Sequence, residues 1–184
     1  MGDKSSDKSK IIPLNIVMTY PVHWGKYEIF RDFVQNFYDS VGYDKWDEKF
    51  QYSYKDKKLT MEIEGVVFNY EWLLHIGAST KTANSCSYAG YFGEGFKIAS
   101  LCAYRDYGWE IEMFSGKWGL NIEVLEQKID NQNIQMMAYK ITNTGGIDGS
   151  RLVLSPISLS EYRIFETVLM SFYFPENTMF GEKI

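Results

Sequence analysis

Between Lys26 and Val41 the apolar side chains Ile29, Phe30, Phe33, Val34 and Phe37 recur at helical spacing, a broad stripe of period 3.6. Arg31, Asp32, Gln35, Asn36 and Asp39 take the rest of that surface, and Gly42 supplies a stop. Helical spacing returns from Phe96 to about Tyr104 and from Leu159 to about Phe172. A short helical piece is predicted from Glu71 to Ile76, ending at Gly77, with Trp72, Leu73 and Leu74 as its core. Strands are predicted over Ile11–Tyr20, which Pro21–Gly25 breaks, and over Phe50–Tyr54 and Leu59–Glu64 around a polar Lys55–Lys58 turn. Further strands follow at Trp109–Phe114, Trp118–Leu125, Ile134–Thr142 and Arg151–Leu154. Ala78–Ala89 is small and polar and reads as a mobile loop; Asn143–Gly149 is rich in turn residues. Strands gather after the middle, helices are spread between them, and no internal repeat is visible. That order predicts an α+β sandwich with helices on one face of the sheet.

Composition narrows the class. With 184 residues, 45% hydrophobic and 17% aromatic, the chain can build one sizeable core. Met1–Lys10 is polar and reads as a disordered leader, leaving one domain over residues 11–184. Met1–Ser6 fits the loose myristoylation pattern and reads equally as a solvated tail. A net charge of −5 without a basic face does not favour direct nucleic-acid contact by this segment. No apolar run reaches the ~18 residues of a membrane span. Cys86 and Cys102, with His23 and His75, lack zinc-site spacing, and two reduced thiols suit a cytoplasmic protein. His75, Cys86 and Cys102 read as structural, and Arg151 as a surface charge.

Two stretches carry chemistry. Gly90, Gly93 and Gly95, with Tyr91, Phe92, Glu94, Phe96 and Lys97, form a G-x-x-G-x-G loop that runs into a helix. Glycines let backbone N–H groups approach a ligand, and a helix start adds unpaired donors and positive potential, which together suit phosphate. The spacing is neither a dinucleotide fingerprint nor a P-loop, since Phe96 separates Gly95 from Lys97. A tight loop before a buried helix gives the same pattern. The second stretch is Asp32-x-x-x-Asn36-x-x-Asp39, which sets Asp32 and Asn36 on one helical face. A solvated polar face accounts for such a pattern, but Asn36 sits among Phe33, Val34 and Phe37, where an amide needs a partner.

An acid-x-x-x-Asn helix, a Gly77-Ala78-Ser79-Thr80-Lys81 loop and Gly90-x-x-Gly93-x-Gly95, in that order, resemble the GHKL ATPase superfamily. That superfamily takes in gyrase B, ninety-kilodalton heat-shock chaperones, MutL, MORC proteins and histidine kinases. Glu28–Asn36 is similar to the chaperone motif, and Phe92–Lys97 to the MORC type and related bacterial ATP-binding proteins. The resemblance covers roughly Tyr20 to Leu154. It implies a Bergerat fold, a mixed and mainly antiparallel sheet under helices, with ATP and Mg²⁺ between the helices and a lid. It implies Asn36 as the Mg²⁺ ligand and Asp32 at the place of a water-activating glutamate. Asp39 lies close to the same face. Gly90, Gly93, Glu94, Gly95, Phe96 and Lys97 would line the phosphates; Ser79, Thr80 and Lys81 would hinge a lid over Thr82–Ala89. Gly149-Ser150 is similar to the turn that closes the adenine pocket.

The adenine-reading Asp-x-Gly-x-Gly is altered. With Gly65 as the first glycine, Ile63 stands at the acid and Val67 at the second glycine; Glu64 or Glu62 substitutes, or the pocket is altered, or Val66–Phe68 simply continues a strand. The expected function is Mg-dependent ATP binding with slow hydrolysis coupled to lid closure, passed to a downstream domain or a partner protein. The rival readings are a nucleotide-binding pseudoenzyme, a histidine kinase catalytic domain, and an interaction module that kept only the fold.

Overall fold

A computed structural model describes residues 9–74, 94–174, 177 and 179. The strands are β1 (Lys10–Val17), β2 (Phe50–Lys55), β3 (Lys58–Glu64), β4 (Glu110–Ser115), β5 (Trp118–Ile129), β6 (Gln132–Asn143) and β7 (Gly149–Ser155). The helices are α1 (Lys26–Val41), α2 (Trp46–Lys49), α3 (Glu94–Tyr107) and α4 (Leu159–Met170). The strands form one seven-stranded sheet in the order β1-β6-β5-β4-β7-β3-β2.

Every pairing between described strands is antiparallel, so the mixed sheet implied by the resemblance is corrected to an antiparallel one. Three two-residue hairpins account for much of this. Asp56-Lys57 and Asp130-Asn131 turn with φ of 51 and 60° and of 45 and 63°, the left-handed pair of a type I′ turn, whose twist suits the flanking strands. Gly116-Lys117 joins β4 to β5.

Register places the apolar residues in rows on one face. Met61 pairs Leu152, Leu152 pairs Met113, Met113 pairs Leu120 and Leu120 pairs Ile141. All five are buried, as are Leu59, Leu154 and Ile111 in the neighbouring row. The opposite face is polar: Arg151 pairs with Glu62, Lys140 lies 3.9 Å from Glu123, and Asn121 donates to Glu112. Alternation of this kind marks an antiparallel sheet covered on one side.

The helices cover the apolar face through α1. Phe30 stacks on Trp109 at 4.9 Å and meets Phe165 of α4 edge-on at 5.7 Å. Phe33 packs on Phe96 of α3 at 5.4 Å, and Phe37 on Phe50 and Phe68. Successive turns of α1 thus hold α4, α3 and the segment after β3. Ser158 and Glu161 cap α4 reciprocally, and Glu161 also takes Lys26 Nζ at 2.8 Å, which fixes the start of α1.

Element boundaries moved for local reasons. β1 ends at Val17, not Tyr20, because Arg105 of α3 donates to the carbonyls of Met18, Tyr20 and Val22 and holds them in a turn. Asp106 accepts from Arg105 and contacts His23, and the Arg105 bond holds its carboxyl below the ordinary range. α3 runs to Tyr107, past the expected end near Tyr104. β5 and β6 extend to a polar tip that hydrophobicity did not mark. The short helical piece is a single 3₁₀ turn at Tyr70–Leu73, capped by Asn69. Its expected end at Ile76-Gly77 and the Ala78–Ala89 loop lie outside the described residues. Among the described residues no helix is long and apolar enough to cross a membrane.

Phe30→Ala removes the ring that joins α1 to the sheet and to α4. It is expected to cost about 3–5 kcal/mol of stability, the range for a buried Phe truncation. Urea unfolding followed by tryptophan fluorescence checks this, and a loss under ~1 kcal/mol would contradict the packing described.

Candidate functional site

Asp32 and Asn36 lie one turn apart on the part of α1 that faces α3. Asn36 Nδ2 donates to the Asp32 carbonyl at 2.9 Å and to Asp32 Oδ2 at 3.3 Å. Both bonds point the amide nitrogen back along the helix. The amide oxygen therefore faces the other way, and among the described residues nothing donates to it. An amide among three apolar neighbours has its donors satisfied and its acceptor presented.

The other side of the Asp32 carboxylate meets α3. A Cβ built on Gly95 would stand 2.2 Å from Asp32 Oδ1 and 2.9 Å from Cγ, so only glycine lets α3 begin this close to α1. Gly95 is in the first turn of α3, where backbone N–H groups lack helical partners. The loop glycine and the helix acid, 63 positions apart in sequence, are thus in contact. Next to Gly95, Phe96 is buried against Phe33 and Tyr139. Glu94 opens the helix and is exposed.

Lys97 takes a different place from the phosphate-lining one expected. It is buried at 1% exposure, and its ammonium donates to the carbonyl of Leu74, bracing the 3₁₀ turn against α3. Burial pushes its pKa down, and the nearby Glu94 draws it back up. Asp39 is one turn further along α1, largely buried, and accepts from Gln35 Nε2 at 2.7 Å. Ser79, Thr80, Lys81, Gly90 and Gly93 lie outside the described residues, as do His75 and Cys86.

The segment after β3 is tied to the sheet below α1. Ser150 Oγ bonds the Val66 carbonyl at 2.7 Å and Ser115 Oγ at 2.7 Å, and Ser115 Oγ accepts from Phe68 N. Trp118 Nε1 donates to the Phe68 carbonyl at 2.9 Å. These bonds tie residues 66–68 to the sheet, and Phe37 packs on Phe68 from α1. Ser150 can sit so close because Gly149 precedes it at φ 125°; a Cβ there would meet the Ile63 carbonyl oxygen at 2.1 Å.

Glu62 and Glu64, the expected substitutes for the acid, lie on the sheet face away from the helices. Ile63 is buried and pairs with Ser150, so it points to the helix face. Alternation sends Glu62 and Glu64 to the opposite face, where Glu62 is paired with Arg151. Gly65, with φ 72°, turns the chain out of β3. The Arg151 pairing agrees with its reading as a surface charge.

Sequence reasoning missed Tyr139 and Ser100 beneath the site. Both are fully buried, and neither hydroxyl makes a hydrogen bond of good geometry although they are neighbours. Burial pushes the Tyr139 phenol pKa up, and the charge of Asp32 adds to the rise. In the sequence Tyr139 is one more apolar position of an alternating strand, so no signal marked it. Cys102 is buried, its sulfur accepts from Trp24 N at 3.4 Å, and burial pushes its thiol pKa up.

Among the described residues no cluster of three His, Cys, Asp or Glu could hold a metal. A magnesium ion carried by phosphates and water needs no such cage; one amide oxygen suffices from the protein. Asn36 fits that need. Beside Ser150 the inward position is the aliphatic Ile63, which offers an adenine amino group no acceptor. A separate groove of about 450 Å³, lined by Trp46, Phe50, Tyr52, Leu169, Met170 and Phe174 among others, includes none of the motif residues. The chain matches no protein-family model, and no curated protein matches it.

Proposed function

We propose that this chain is a Mg-dependent ATP-binding domain of the GHKL type, built on a Bergerat fold. The observation that carries the reading is the Asp32 carboxylate set between the Asn36 amide and Gly95. The Asn36 amide gives its nitrogen to Asp32 and keeps its oxygen as an acceptor, and the first turn of α3, whose N–H groups lack helical partners, begins against the same carboxylate. Those are the two things a metal-bound triphosphate requires, a hard oxygen ligand and backbone donors for anionic oxygens. Bound Mg²⁺ would neutralise charge on the phosphate oxygens. Asn36 Oδ1 would hold it, and the α3 start would take phosphate oxygens. Asp32 is the carboxylate within reach of the same space, the role of a proton acceptor for water. Closure of a lid over the nucleotide, and its transmission to a downstream domain or partner protein, belong to the same proposal.

A second reading has its own support. Ile63 stands where an acid would accept the adenine amino group, and the neighbouring glutamates face away. This favours a site that binds phosphates and metal while reading the base weakly, a pseudoenzyme that binds without turnover. Single-turnover hydrolysis with Mg²⁺ separates the two.

Asn36→Ala is expected to fold normally and to lose the magnesium-dependent part of ATP binding by isothermal titration calorimetry. Equal affinity in variant and parent would remove the metal assignment. Gly95→Val forces α3 away from Asp32. Thermal denaturation is expected to show lower stability, and calorimetry weaker Mg-ATP binding; an unchanged variant would contradict the close contact. Asp32→Asn keeps the shape but not the proton acceptor. If the domain hydrolyses ATP, this variant is expected to bind Mg-ATP and to hydrolyse about 10²–10⁴ times more slowly, measured as phosphate release. A variant as fast as the parent would place the base elsewhere.

A further inference from the structure

The hairpin of β5 and β6 reaches well beyond its neighbours. β4 pairs with β5 only from Trp118 to Asn121, whereas the β5–β6 ladder continues to Ile129 and Gln132. Among the described residues, nothing pairs with β5 from Ile122 to Ile129 on the side away from β6. That leaves an unpaired edge, the feature by which one chain templates strand addition from another.

The tip sets which backbone groups face outward. Asp130-Asn131 is a two-residue type I′ turn, so its flanking residues Ile129 and Gln132 exchange their backbone bonds with each other. The ladder then alternates. Ile129, Gln127 and Leu125 bond inward to β6, while Lys128, Glu126 and Val124 direct N–H and C=O to the open edge. Neither proline nor bulge interrupts this edge; β5 and β6 keep one register throughout.

We propose that the open edge of β5 pairs with the same edge of a second copy of this chain, antiparallel about a twofold axis at Gln127. The sequence of the edge is self-complementary only in that register. Glu126 then faces Lys128 of the second copy on one side of the ribbon, and Lys128 faces Glu126 in return. On the other side Leu125 faces Ile129, and Ile129 faces Leu125, extending the apolar strip that Leu125 shares with its own partner Met136. A register centred on Glu126 sets two carboxylates opposite each other, and one centred on Leu125 sets Ile122 against Lys128. Opposite charges directly across a ladder stabilise it and like charges destabilise it. The bonds also agree, since Glu126 and Lys128 are the residues whose N–H and C=O groups face the edge.

Geometry leaves room for both bodies. The tip of the second copy, at Asp130, comes opposite Val124 and stops short of Asn121, where β4 begins to pair. The two bodies lie at opposite ends of the shared ribbon. Ile129 is 44% exposed in the single chain and is covered in the pair. A pairing of about six residues per copy is smaller than a standard interface, so the dimer is weak and forms as concentration rises.

Sedimentation velocity of the full chain over a concentration series is the test. The parent is expected to shift from monomer toward twice that mass. Glu126→Lys and Lys128→Glu, each alone, place like charges across the ladder and are expected to weaken association about tenfold or more. An equimolar mixture of these two variants restores complementarity at both positions and is expected to recover the dimer. Glu126→Pro removes an outward N–H without touching the β6 ladder, and is expected to leave monomer only. Concentration-dependent protection of the Glu126 and Lys128 amides in hydrogen exchange reads the same contact in the unmodified chain. A parent that stays monomeric with unprotected amides overturns the proposal. So do single variants that dimerise like the parent, or a mixture that stays monomeric.

Discussion

The contact between the Asp32 carboxylate and Gly95 sets how closely α1 and α3 approach, and the proposed site depends on that spacing. α1 and α3 approach until a side chain on Gly95 would overlap the carboxylate. Burying one side of a carboxylate carries a desolvation cost, which hydrogen bonding from the Asn36 amide offsets in part. In doing so the bond fixes which way Asn36 turns. A larger residue at position 95 would open the layer, and a residue without an amide at position 36 would leave Asp32 with one donor fewer. Phe33 on Phe96 holds the same two helices together one residue further into the core.

The sheet supplies the second fixed surface. Its apolar rows are continuous across β3, β7, β4, β5 and β6, and α1 lays one aromatic ring per turn on them or on the helices beside it. The segment after β3 is held to this sheet by hydroxyl bonds from Ser150 and Ser115 and by the Trp118 indole. Buried, satisfied polar groups of this kind fix position more tightly than apolar packing alone. Lys97 belongs to the same framework, because its ammonium bonds the carbonyl that ends the 3₁₀ turn.

Much of this was legible in the chain. The period of Ile29, Phe30, Phe33, Val34 and Phe37 gave α1 its limits at Lys26 and Val41, because a stripe that wide has one burial solution. The alternation of Leu59, Met61 and Ile63 likewise gave β3. Position along the chain could not show that Gly95 would meet Asp32, which depends on how α3 crosses α1. Nor could it show where Lys97 lies: beside a glycine-rich loop a lysine reads as a phosphate ligand, and its burial and its bond to the Leu74 carbonyl depend on how α3 packs. The polar halves of β5 and β6 escaped because Glu126–Lys128 and Gln132–Gln135 carry no hydrophobic alternation; their ladder depends on a two-residue turn and each other. Arg105 gave no sign of holding three carbonyls of a loop more than eighty residues away.

In the proposed function, Asn36 Oδ1 and the start of α3 together receive a magnesium triphosphate. A crystal structure of the chain with a non-hydrolysable ATP analogue and Mg²⁺ tests it most directly. The metal is expected at about 2.1 Å from Asn36 Oδ1, with phosphate oxygens against the backbone N–H groups around Gly95. An analogue bound elsewhere, or a metal held without Asn36, would contradict it.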